Sequence, residues 1–125
     1  MISTLVQVAL GGAIGASARY LAGMAIFRVV GPGFPVAIIS VNVLGSFLMG
    51  VFVVAAAQRG LAHLSPFVMV GLLGGFTTFS AFSLETVTLL ERGQTGQAAL
   101  YIALSVILSV GGLILGLWVA RGWFA

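Results

Sequence analysis

Hydrophobic positions in this chain do not alternate with polar ones at the periods of a half-buried strand or an amphipathic helix. They run in long blocks separated by short polar clusters. Four blocks fit as spans, at about residues 3–27, 36–57, 67–90 and 98–120. Each exceeds the roughly 20 residues a helix needs to cross a bilayer core. Between them, Gly31-Pro32-Gly33 with Pro35 is a turn signal, and Arg59-Gly60 through His63, Ser65 and Pro66 forms a second connection. Glu91-Arg92-Gly93-Gln94-Thr95-Gly96 is a polar third. Connections this short make neighbouring spans antiparallel and leave no room for a soluble domain. Residues 1–125 therefore read as one all-α unit of four transmembrane helices.

The third block breaks the pattern. Gly74-Gly75-Phe76-Thr77-Thr78-Phe79-Ser80-Ala81-Phe82 sets two glycines, three hydroxyls and three phenylalanines in the middle of a span. Glycine costs about 1 kcal/mol relative to alanine in a helix interior. A loosened turn in hydrocarbon also exposes backbone groups that lipid cannot satisfy, so it survives only against protein or water. A broken third helix is expected, with the break over Gly74–Thr78. Discontinuous helices at mid-membrane are places where transport proteins hold ions.

Composition agrees with embedding: the chain is 61% hydrophobic and 6% charged, against about 25% charged in soluble domains. There is no cysteine, lysine or aspartate, which excludes disulfides and thiolate metal sites. Five arginines against two glutamates are too sparse for a nucleic-acid footprint. Ala16-Ser17-Ala18 resembles a signal-cleavage site, but Met1 to Leu10 carries no basic side chain, so retention as a first membrane helix is expected. Enzymatic chemistry finds no footing. His63 is the sole histidine and neither glutamate sits in an acid–base motif; no phosphate-binding loop appears.

Charge placement bears on orientation, which follows Lys and Arg in the cytoplasmic loops. Arg59 and Arg121 fall on one side, Arg28 and Arg92 on the other. Either the α-amino group or Arg19 tips this balance, or copies insert both ways and pair antiparallel. Gly11/Gly15, Gly71/Gly75 and Gly112/Gly116 have GxxxG spacing and Ser46/Gly50 is a small variant, all of which allow close helix approach. Four short helices enclose little of a pore, so a homo-oligomer is expected.

Polar groups inside the spans are the candidate chemistry, because charges at depth face a bundle interior or a wet cavity. Arg19 and Glu85 are such charges. They pair with each other, or snorkel, or Arg19 raises the local anion concentration in a vestibule. Asn42 either bonds another helix or offers its NH₂ group as a neutral donor to a small anion. Tyr101, Ser105 and Ser109 recur every four residues as one polar stripe. Phe76, Phe79 and Phe82 would share a face in a continuous helix, and ring edges carry positive potential suited to an anion. The freed carbonyls of a break offer the opposite chemistry, coordination of a cation such as Na⁺.

With these motifs the chain resembles the Fluc (CrcB) fluoride channels along essentially its full length. Gly11-Gly12-Ala13-Ile14-Gly15-Ala16 with Arg19-Tyr20 is similar to the family's first-helix signature. Val41-Asn42 with Gly45-Ser46-Phe47 and Gly50 is similar to the second, and Gly74-Gly75-Phe76-Thr77-Thr78-Phe79-Ser80 with Phe82 to the third. The resemblance implies a fluoride-selective channel of the bacterial inner membrane that lets cytoplasmic fluoride leave passively. It implies a dual-topology antiparallel homodimer with two pores at the subunit interface. Asn42, Phe79 and Phe82 would line the pore, with Tyr101, Ser105 and Ser109 as a polar track and Arg19 in the vestibule. The carbonyls of Gly74 and Thr77 would hold a structural Na⁺ at the dimer centre. The chain departs from the family at Ala37-Ile38, where Gly-Thr is common, and at Ala81, where threonine is frequent. The competing readings are a small proton-coupled multidrug exporter and a non-transporting assembly subunit. The exporter needs a carboxylate in the first span, which holds only Arg19.

Overall fold

The computed structural model describes residues 1–124. It comprises α1 (Ile2–Val30), α2 (Val36–Arg59), α3, α4 (Phe79–Glu91) and α5 (Thr95–Trp123). Helix α3 is π-wound over Pro66–Leu73 and runs on as an α-turn, Gly74–Phe76. A 3₁₀ turn, Ala62–Leu64, leads into it. With α3 and α4 taken together, four stretches are long and apolar enough to cross a membrane: Ile2–Val30, Val36–Arg59, Ala62–Glu91 and Thr95–Trp123.

The helices outrun the apolar blocks. Helix α1 continues through Arg28 to Val30, and α5 starts at Thr95, inside the expected polar loop, which shrinks to Arg92–Gln94. Hydropathy marks where the membrane ends, whereas a helix continues into water until something stops it. Here the stop is glycine. Gly60 (φ 67°, ψ 35°) closes α2 in the left-handed region, and Gly93 (φ 75°) turns the chain after α4. Arg28, Arg59 and Arg121 each sit in the last turn of a helix, where the helix dipole favours a cation. The Arg59 guanidinium lies 5.2 Å above the Phe124 ring, tying the ends of α2 and α5 together.

Two glycine crossings organise the bundle, and both lie within the one chain. A Cβ on Gly15 would collide with the Leu72 carbonyl, and one on Gly75 would meet the Gly12 oxygen at 2.9 Å. Gly11 and Gly71 make the same close approach, so α1 lies backbone to backbone on α3. On the other side, Gly50 faces the Leu113 carbonyl and Gly116 the Phe47 carbonyl, which joins α2 to α5. Helix α4 closes the bundle over a core of Ile39, Phe82, Leu89, Ala98 and Tyr101.

The interruption lies later than the glycines suggest. Gly74 (φ −63°, ψ −37°) is helical, and the extended residues are Thr77 (φ −90°, ψ 156°) and Thr78 (φ −152°, ψ 121°). The Thr77 hydroxyl reinforces the last helical bond before the break, and the Thr78 hydroxyl takes up an N–H that the unwinding frees. Thr77 Oγ1 donates to the Leu73 carbonyl at 2.9 Å, beside the Thr77 N–H at 3.0 Å. Thr78 Oγ1 accepts the Ala81 N–H at 3.1 Å and so caps α4.

Candidate functional site

Asn42 holds the break. Its Oδ1 accepts the Thr78 N–H at 2.8 Å and its Nδ2 donates to the Thr78 carbonyl at 3.0 Å. One carboxamide thus substitutes for a strand partner, pairing both main-chain groups of an extended residue inside the membrane. The sequence leaves Asn42 either a helix-bonding group or an anion donor. The first role is present, and one amide hydrogen remains for another acceptor, since the NH₂ group carries two. Gly45, one turn further along α2, is where Thr77 fits: a Cβ there would strike the Thr77 methyl group.

Arg19 and Glu85 do not pair. The Arg19 Nε donates to the Gly75 carbonyl at 3.1 Å, whereas the Glu85 carboxylate accepts the Tyr101 hydroxyl. Depth in the membrane is similar for two such charges, but the side of the helix each faces decides their partners. Arg19 lines a groove of about 410 Å³ with Tyr20, Met24, Phe27 and Arg28, and no carboxylate borders it among the described residues. Glu85 and Arg92 border a separate cavity of about 300 Å³ under the Gly31–Pro35 turn.

A third groove, of about 460 Å³, brings most of the candidate residues together. Its walls include Asn42, Thr77, Thr78, Phe79, Phe82, Ser105 and Ser109. Phe79 is 77% exposed and Phe82 is buried, with ring centroids 5.2 Å apart and planes at 45°. The groove is open along the side of the helix bundle, with Phe79 on its rim.

The expected polar stripe divides. Ser105 and Ser109 border the groove, but Tyr101 does not: it is fully buried behind Phe82, stacked on it at 5.4 Å. Phe34 also meets Tyr101, edge-on at 5.7 Å. Periodicity places these positions on one face, but the long tyrosine side chain leans out of it to reach Glu85. Phe76 is separated from Phe79 by the break and packs near Gly45. Phe34 and Thr78 carry more of this arrangement than their sequence signal suggests. An aromatic inside a Gly-Pro turn is the trace of the first, and a hydroxyl three residues before Ala81 the trace of the second.

Ser105 is the anomaly. Hydroxyls of Ser40, Ser83, Thr86 and Thr88 all donate to the carbonyl four residues earlier. The Ser105 hydroxyl is buried and has no hydrogen-bond partner among the described residues. Its usual escape on the preceding turn is unused, so a buried donor faces a groove already walled by Asn42 and two phenyl rings.

For a cation the donor chemistry is oxygen from the main chain. The Thr78 N–H, which a continuous helix would bring to the Gly74 carbonyl, is bound by Asn42 instead. The Thr77 carbonyl accepts no hydrogen bond among the described residues. Neutral carbonyl oxygens suit a hard cation.

Comparison with known proteins agrees along the chain. Residues 6–117 match the family described as CrcB-like protein, Camphor Resistance (CrcB). The chain is 69% identical over 123 residues to a protein of Roseobacter denitrificans named fluoride-specific ion channel FluC, covering 97% of this chain and 98% of that one. Proteins of the same name from Ruegeria sp. and Cereibacter sphaeroides are 67% and 62% identical, the latter over the full length of both chains. With its four spans and these matches, the chain is an integral membrane protein and belongs to the CrcB family.

Proposed function

We propose that this protein is a subunit of a fluoride-selective channel that lets cytoplasmic fluoride leave the cell passively. The observation that carries the reading is the unpartnered, buried Ser105 hydroxyl in a groove walled by the Asn42 amide and the Phe79 and Phe82 rings. Fluoride is small and strongly hydrated. A conduit for it must replace water with donors that hold it, yet loosely enough to let it go. Ser105 and the second amide hydrogen of Asn42 are neutral donors. Ring edges of Phe79 and Phe82 add positive potential without a fixed charge that would trap the ion. Arg19 and Arg28, in a groove with no carboxylate among the described residues, raise the anion concentration at its approach. Weakly acidic HF enters cells through the bilayer and dissociates at neutral pH, so the trapped anion needs such an exit. The relatives named fluoride-specific channels support this substrate.

The functional unit in this reading is an antiparallel, dual-topology homodimer in the bacterial inner membrane. An open groove with an exposed phenylalanine on its rim needs a second wall, and a second copy of this chain supplies one. The balance of Arg59 and Arg121 against Arg28 and Arg92 permits insertion both ways. The Gly74 and Thr77 carbonyls would hold a Na⁺ at the dimer centre, where its chemistry is a fixed positive charge. This chain's part is to keep those carbonyls free: Asn42 occupies the Thr78 N–H that would serve Gly74, and the Thr78 hydroxyl takes the Ala81 N–H that would serve Thr77.

The test is efflux from liposomes holding the purified protein, read with a fluoride electrode. Fluoride should leave rapidly and chloride should not; fluoride retention would end the reading. Adding two lysines to one connection and mapping the termini tests the orientation. A uniform topology unchanged by the lysines would exclude dual insertion.

A further inference from the structure

We infer that Arg19 is a positioning residue that fixes the break in the third span through the Gly75 carbonyl, in addition to any field it contributes outside. The inference rests on the channel reading for its functional consequence. Thr77 and Thr78 are extended, which carries the Phe79 N–H away from the Gly75 carbonyl that it would serve in a continuous helix. That carbonyl is then orphaned at membrane depth, where lipid offers it no donor. The Arg19 Nε reaches it at 3.1 Å from α1. The contact is made where α1 and α3 touch backbone to backbone: a Cβ on Gly75 would lie 3.2 Å from the Ala16 nitrogen, and one on Gly15 3.0 Å from the Phe76 nitrogen. The guanidinium therefore approaches along a rigid crossing and not on a loose tether. Its bond falls on the penultimate helical residue before the chain straightens, as those of Asn42 fall on the second of the two extended residues. The two side chains hold the break from opposite sides, α1 and α2.

A vestibule charge and a backbone cap make different demands on the side chain. Glutamine places an N–H at the same bond distance from the backbone as the arginine Nε, without the charge. Methionine has a similar length and no donor. Fluoride efflux should be measured across fluoride concentrations for Arg19→Gln and Arg19→Met in assembled protein, together with amide exchange over Thr77–Phe79 by mass spectrometry. If Arg19 caps Gly75, Arg19→Gln raises the half-saturating fluoride concentration but keeps maximal flux within about threefold, and exchange stays slow. Arg19→Met lowers maximal flux about tenfold or more at every concentration and speeds exchange at the break. Equal losses in the two variants, recovered by raising fluoride, would overturn the inference and leave only the field. So would a tenfold loss of maximal flux in Arg19→Gln, a result that holds even if Arg19→Met does not assemble. Absence of flux from the unmodified protein would instead sink the channel reading, while the exchange data would still decide the cap.

Discussion

The two halves of the third span are built on opposite principles. Up to Phe76 it is pinned: Gly71 and Gly75 lie on α1 so closely that a Cβ on Gly71 would be 2.7 Å from the Val8 oxygen. Beyond Thr78 it is propped: α4 is capped by its own Thr78 hydroxyl, rests on α5 through Phe82 and Tyr101, and leaves Phe79 exposed on the groove rim. The first half has exchanged side chains for backbone proximity, so it is rigid and carries little chemistry. The second keeps its side chains and carries the rings and hydroxyls. A break with one immobile shoulder and one open one is how a membrane helix can expose polar backbone without losing its place.

The most damaging change to this contrast is a methyl group on the pinned side. Gly15→Ala puts a Cβ into the Leu72 carbonyl and beside the Phe76 nitrogen, neither of which is the end of a flexible side chain. Overpacking of this kind should cost about 3 kcal/mol. Thermal unfolding in detergent should show it as a large loss of the folded fraction. Gly23→Ala, on the same helix with nothing within 4 Å of its Cβ, should cost nothing and stabilise by up to about 1 kcal/mol. Equal stability of the two variants would mean that α1 does not grip α3 as described.

How far the sequence shows this depends on the kind of information each feature needs. The four spans, the turns and an interruption in the third follow from local composition, since Thr77-Thr78 beside two glycines cannot be a comfortable lipid-facing turn. The position of the break is not local. Gly74 and Gly75 look like its centre, yet both stay helical, and α1 fills the space that the missing side chain of Gly75 leaves. That information resides in Gly11, Gly12 and Gly15 of another span. The Arg19–Glu85 pairing fails for a related reason: hydropathy gives depth, and partners depend on azimuth. Tyr101 leaves the stripe that Ser105 and Ser109 share because a periodic pattern locates Cα atoms and not the tip of a long side chain.

A smaller effect is expected at the hinge between the halves. Asn42→Ala removes two hydrogen bonds and leaves the Thr78 N–H and carbonyl unpaired, at a cost of about 2 kcal/mol. Asn42→Asp keeps the acceptor for the Thr78 N–H but, when ionised, loses the donor to its carbonyl. Stability in unfolding assays should therefore rank wild type, then Asp, then Ala. An alanine variant as stable as wild type would show that Thr78 finds water instead, and the amide would then be free for an anion alone.

The least destabilising change falls on the open shoulder, and it separates packing from function most sharply. Phe79 is 77% exposed, so Phe79→Ile should shift unfolding by no more than about 0.5 kcal/mol. Phe82 is buried against Tyr101, so Phe82→Ile should cost more, about 1 kcal/mol, through lost stacking. If ring edges support a partly dehydrated anion, both variants should suppress fluoride efflux despite their unequal effects on stability, because an aliphatic side chain has no positive rim. Flux that tracks stability, with Phe79→Ile at wild-type rates, would assign the rings to packing. The openness of the propped half of the span would then not serve ion chemistry.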